Sequence, residues 1–161
     1  MARGAHRPLP RAAPPRTRPT FDDEPGDLPC PLALIACDHI HVDPVGLTES
    51  LLGVFVHRRA ESFPTEIPLH LYFRFTNART GPVPVRLRLV APGDRGEVLL
   101  DVGHEMDCPG GLDVREFMVA AKVKFPAPGT YILEASAEGE VLMERALFLH
   151  PDRLHVAAGA G

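Results

Sequence analysis

From Leu32 onward, apolar and polar positions alternate along most of the chain. The clearest run is "VPVRLRLVA" at 83–91. Val83, Val85, Leu87 and Leu89 fall on one side, and Arg86 and Arg88 on the other. A period of two marks a half-buried β-strand. "IPLHLYFRFTN" at 67–77 repeats the pattern, with Leu69, Leu71, Phe73 and Phe75 on one face. Short runs bounded by Gly, Pro, Asn and Asp predict about eight strands. They cover 32–42, 50–57, 67–77, 83–91, 97–102, 114–125, 130–137 and 140–150. "GHEMDCPGGLD" reads as a long loop, and "EG" at 138–139 as a tight hairpin turn. No segment carries a helical period. The predicted fold class is all-β: an antiparallel β-sandwich, immunoglobulin-like. "PAPGTY" before the seventh strand resembles the approach to a tyrosine corner, with Tyr131 as the residue whose hydroxyl would bond nearby backbone.

The first 31 residues break this pattern. They hold eight prolines and almost no large apolar side chains. Such a segment cannot bury enough surface to offset its ordering entropy, so residues 1–31 are expected to form a disordered Pro/Arg-rich tail. A passive extension is the preferred reading over a docking arm. Residues 32–150 are the folded domain, and residues 151–161 a frayed end.

Charge and cysteines narrow the function classes. The tail carries five arginines against four acids, whereas residues 32–150 carry eleven basic residues against sixteen acidic ones. An acidic domain is a poor match for nucleic acid, whose binding rests on neutralising phosphates. The apolar run "LALIAC" is too short to cross a membrane, and no secretory leader is visible, so no membrane role is expected. Cys30, Cys37 and Cys108 are an odd, unpaired set that fits a reducing, cytoplasmic setting rather than a disulfide framework or zinc ribbon. Cys108 lies beside Asp107 in the expected loop and is read as unreactive.

The candidate chemistry centres on "CDHIHVDP". His39 and His41 at i and i+2 share one face of a strand and could converge on zinc or iron. A third ligand would have to come from His57, His70 or His104, with Asp43 or Glu105 as base. The glutamate of a cupin motif is missing after the pair, and no HExxH is present. A polar strand face is therefore preferred, with a metal-dependent enzyme as the rival and no cofactor expected otherwise. Asp38 falls on the face assigned to the core. A buried carboxylate needs a partner, either backbone N–H groups or an arginine such as Arg58. No GxSxG, Walker A or GxGxxG motif is present. Arg86 and Arg88 share an outer face and mark a possible interface.

"ACDHIHVDPVG" followed by "ESLLGVFVHRRAESFP", with "PGTY" near the end, resembles a family of small bacterial all-β proteins classed only as a domain of unknown function. The resemblance covers roughly residues 32–150 and implies a fold but no activity. The function expected is a non-enzymatic interaction or assembly module, with another protein or a second copy as partner.

Overall fold

The computed structural model of the protein describes residues 28–46, 48–77, 80–93, 96–110 and 113–152. The expected tail at 1–31 lies largely outside these residues, as does most of the expected C-terminal fray. Ten strands form: β1 (Cys30–Cys37), β2 (His39–Val42), β3 (Glu49–Leu52), β4 (His57–Ala60), β5 (Thr65–Asn77), β6 (Thr80–Val90), β7 (Val98–Pro109), β8 (Asp113–Phe125), β9 (Gly129–Ala137) and β10 (Glu140–Pro151). No helix is present among the described residues.

The strands make a three-stranded sheet, β1-β5-β8, a five-stranded sheet, β4-β10-β9-β6-β7, and a small hairpin, β2-β3. All pairs are antiparallel except β4 with β10. Inward positions follow the alternation in the sequence. Leu69, Leu71, Phe73 and Phe75 of β5 meet Val83, Val85, Leu87 and Leu89 of β6, with Tyr131, Leu133 and Ala135 of β9 completing the floor. Prolines fall where a strand tolerates them. Pro82 and Pro84 precede Val85, where β9 joins β6, so their missing N–H groups break no ladder on that side.

The segment between β3 and β4 closes one side of the fold. Phe55 N–H donates to the Ala36 carbonyl at 3.1 Å, at the edge of the three-stranded sheet. Phe148 N–H donates to the Val56 carbonyl at 2.7 Å, in the five-stranded sheet. One short stretch thus bonds to both sheets and curls them into a half-barrel.

The structure corrects several expectations. The predicted first strand is broken at Asp38, whose N–H turns to the Leu52 and Gly53 carbonyls at 3.0 and 3.3 Å. The bend resets the alternation, so Asp38 is not in the core: its side chain is 44% exposed. A register shift between Pro31 and Ala33 likewise turns Leu32 outward, 49% exposed. The predicted strand 50–57 divides into β3, an irregular link and β4. The predicted loop after residue 102 is mostly strand, because β7 continues through "GHEMDCP" paired with β6. Cys108 is accordingly a buried strand residue.

Candidate functional site

Three neighbouring strands build the most distinctive surface. On β6, Arg86 and Arg88 alternate with the core residues and so point away from the core. Register places Asp101 of β7 and Glu134 of β9 directly opposite Arg88, one on each side. Gly103 and Ser136 flank Arg86 in the same way. Because Gly103 offers no side chain, Arg86 reaches diagonally to Asp101. Its Nε and Nη2 donate to Oδ1 and Oδ2 at 2.5 Å each, a two-pronged guanidinium–carboxylate bond. That bond holds the Asp101 carboxyl below the usual carboxylate range. Arg88 donates from Nη1 to Glu134 Oε2 at 3.2 Å, with its Nε 3.9 Å from Asp101 Oδ2.

These side chains line an open groove of about 860 Å³, which extends to Glu105, Gly139 and Val141. Acids and bases alternate across its floor. Exposed ion pairs contribute little to stability, about 0–1 kcal/mol each. Such an array adds little to holding the fold.

A second polar cluster lies under the β2-β3 hairpin. Tyr72 of β5 is buried, and its hydroxyl donates to Glu116 Oε1 of β8 at 2.8 Å. Burial and that carboxylate push the Tyr72 hydroxyl well above its ordinary pKa. Arg74 Nε sits 3.5 Å from the same oxygen. Glu49 of β3 comes close enough to Glu116 for the two carboxyl groups to interact. The Glu116 carboxyl beside it raises the Glu49 pKa, and partial burial adds to the shift. A raised folded-state value means stability fully present below the ordinary carboxylate range and lost as pH rises through the raised value. Glu49→Gln supplies an N–H donor that needs no proton. It is expected to flatten this dependence and to add roughly 0.5 kcal/mol at pH 7, a hydrogen-bond magnitude discounted for exposure. Urea unfolding at pH 4.5 and pH 8 checks it. Unchanged pH dependence in the variant would show that the Glu49–Glu116 contact does not influence the stability of the docked hairpin.

The histidines separate. His39 and His41 pair across the hairpin with Leu52 and Ser50. The His39 ring meets His70 edge-on at 5.3 Å between centroids, and His70 Nδ1 is bonded to the Asp38 carbonyl at 2.9 Å. His104 lies against Phe117, with 6.0 Å between ring centroids. Among the described residues, no three His, Cys, Asp or Glu side chains are grouped to hold a metal. The contact missed by sequence reasoning is between His57 and His150, 3.3 Å apart from Nδ1 to Nε2. They are far apart in the chain, and only the parallel β4–β10 pairing joins them.

The other singled-out residues have structural partners. Asp38 Oδ1 takes Arg58 Nη1 at 2.6 Å, and the Arg58 guanidinium lies over the Phe55 ring at 4.9 Å. The Tyr131 hydroxyl donates to the Ala127 carbonyl at 2.5 Å. Cys37 is buried, and burial pushes its thiol pKa up, away from reactivity.

Comparisons with known proteins add kinship but no chemistry. Residues 32–150 match DUF6941, described as a family of unknown function. No curated protein matches the chain. Among solved structures, a Bacteroides fragilis protein assigned as a beta-galactosidase is similar at 16% identity and a TM-score of 0.36, over 54% of this chain and 14% of that one. Pseudomonas fluorescens alkylpurine DNA glycosylase AlkC, bound to DNA with an abasic-site analogue, is similar at 12% identity and a TM-score of 0.40, over 73% and 30%. This chain thus spans less than a third of either protein. No helix among the described residues is long and apolar enough to cross a membrane.

Proposed function

Because the chain belongs to DUF6941, a family of unknown function, its kinship supplies no activity, and we propose from the geometry that it is a non-enzymatic protein-binding module. The observation that carries this reading is the charged groove over β9, β6 and β7. Arg86, Arg88, Asp101 and Glu134 are held at fixed spacing on rigid strands. Complementary charge gives specificity and encounter rate more than raw affinity, so the partner presents alternating acidic and basic groups of its own. A second copy of the chain is the homotypic version of that partner.

The immunoglobulin-like description of the sandwich belongs to this proposal, supported by the Tyr131 hydroxyl bonded to backbone upstream. So do a bacterial source and a cytoplasmic setting, the latter supported by the three free cysteines. The rival reading, a metal-dependent enzyme on His39 and His41, draws on the nearby His70 ring.

The test is a pull-down from the native host with the wild-type domain beside the Arg86→Glu/Arg88→Glu variant, with sedimentation of the purified chain. Retention that falls at least about tenfold in the variant, equivalent to roughly 1.4 kcal/mol, is expected. The same partners held equally by both proteins, or no partner together with a strict monomer, would overturn the proposal. Arg88 is half-buried between Asp101 and Glu134, so the variant should lose about 1–2 kcal/mol to like-charge repulsion across the strands, and circular dichroism verifies that it folds.

A further inference from the structure

The outer face of the five-stranded sheet is covered by no further layer among the described residues. Around the charged groove it carries five acids against two arginines. Asp101, Glu105 and Asp107 project from β7, Glu134 from β9, and Glu144, paired with Glu134, from β10. Arg86 and Arg88 engage Asp101 and Glu134. Glu105, Asp107 and Glu144 are exposed, and no ion pair reaches them from a described residue.

The chain enters the described region at Leu28, and β1 begins at Cys30, opposite Thr76 near the end of β5. β6 starts at that same end of the fold. Glu105 and Asp107 lie opposite Pro84 and Pro82, just past its first residues. The acid-rich end of the groove and the point where residues 1–27 join the domain therefore share one end of the fold. Residues 1–27 lie outside the described part. In sequence, residues 1–21 hold five arginines, five prolines and no acid, and all four acids of the segment fall between 22 and 27. The spacer 20–27 spans at most about 26–29 Å when extended. The path from Cys30 to Glu105 takes about 10 Å between the sheets and about 13 Å along four residues of β6. The acidic spacer thus bridges the gap and delivers the arginines to the groove.

We infer that the arginine-rich arm, residues 3–18, docks in cis across this groove and occupies it in the free protein. The inference rests on the reading of the groove as a binding surface and names its resident occupant. A carboxylate offers about four acceptor positions, so Asp101 and Glu134 can take a second guanidinium beside the one they hold. Glu105, Asp107 and Glu144 take arginines without a competitor. The prolines fix φ along the arm, which reduces the entropy lost on docking. The tether supplies an effective concentration on the order of millimolar, enough to hold a weak, charge-driven contact. A foreign partner then binds by displacing the arm, and the arm sets a threshold on partner affinity. Composition alone favoured a passive extension, because the acids that face the arm come from three strands that only pairing sets side by side.

The experiment places a nitroxide on the arm of the full chain through Ala13→Cys. A Cys30→Ser background removes the exposed thiol, and the remaining Cys37 and Cys108 are buried. The amide signals of Gly103 and Ser136, which line the groove, should lose most of their intensity at low salt. They should regain it at about 0.5 M salt, where the screening length falls well below the ~8 Å of physiological solution. Glu105→Gln/Glu144→Gln should restore the signals at low salt, as should Gln in place of the five arginines of the arm. All these positions are exposed or outside the described domain, and circular dichroism verifies that the variants fold. Spin-labelled chains mixed with isotope-labelled chains that lack the nitroxide should show no loss. The inference is overturned if Gly103 and Ser136 keep their intensity, if the loss persists in both charge variants, or if the mixed sample shows it as strongly as the single chain. The nitroxide reports the arm and the pull-down reports foreign partners, so the two failures are told apart.

Discussion

Tyr131→Ala is expected to destabilise the domain by about 3–5 kcal/mol, close to the whole stability of a small fold. Tyr131 is 1% exposed, and its ring meets Phe125 edge-on at 4.9 Å between centroids. Truncation leaves a large void between β8 and β9 that rigid strands cannot collapse to fill. Tyr131→Phe keeps the ring and removes only the hydroxyl that donates to the Ala127 carbonyl. It should cost about 1–2 kcal/mol, the loss of one hydrogen bond with its acceptor left partly buried. Urea unfolding with unchanged m-values separates the two. A phenylalanine variant as stable as wild type would mean that the hydroxyl does not anchor the turn before β9. An alanine variant within 1 kcal/mol of wild type would contradict the packing account altogether.

Gly53→Ala is expected to cost about 1–3 kcal/mol through backbone strain and a side-chain clash at the same residue. Gly53 has φ +64°, a left-handed conformation that favours glycine. A Cβ there would meet the Asp38 carboxylate far inside van der Waals contact. Asp38 can swing aside only by giving up its ion pair with Arg58, 2.6 Å away. The methyl group therefore either breaks that ion pair or shifts the bend at which β1 ends. Gly139 provides the control. Its φ is +86°, but a Cβ there meets nothing within 4 Å, so Gly139→Ala carries the backbone term alone, about 1 kcal/mol. A double-mutant cycle with Asp38→Ala is decisive. Removing the carboxylate should recover part of the Gly53→Ala loss, a coupling of about 0.5–2 kcal/mol. Strict additivity would show that the clash with Asp38 has no part in the effect.

These two sites differ in how visible they were beforehand. Tyr131 stands in an apolar strand behind a Pro-Gly turn, so its place was legible from pattern alone. The role of Gly53 was hidden, because its close neighbour Asp38 sits across a bend that no period-2 reading anticipates. The groove was half legible. The outward placement of Arg86 and Arg88 follows from alternation, but their acidic partners come from β7 and β9, whose registers are set by pairing.

The sequence by itself determined the all-β class, the inward faces of β5 and β6 and the outward arginines, because side-chain direction in a strand follows from chain geometry and needs no partner. Tertiary structure decided what depends on neighbours. β7 was read short because it is an edge strand, half solvated and without a clean alternation through Gly103, His104 and Glu105. β4 was missed because four residues carry no period of their own and become a strand only by lying parallel to β10. The same pairing brings His57 to His150. Such a contact comes from closing the half-barrel, and no local spacing of histidines encodes it.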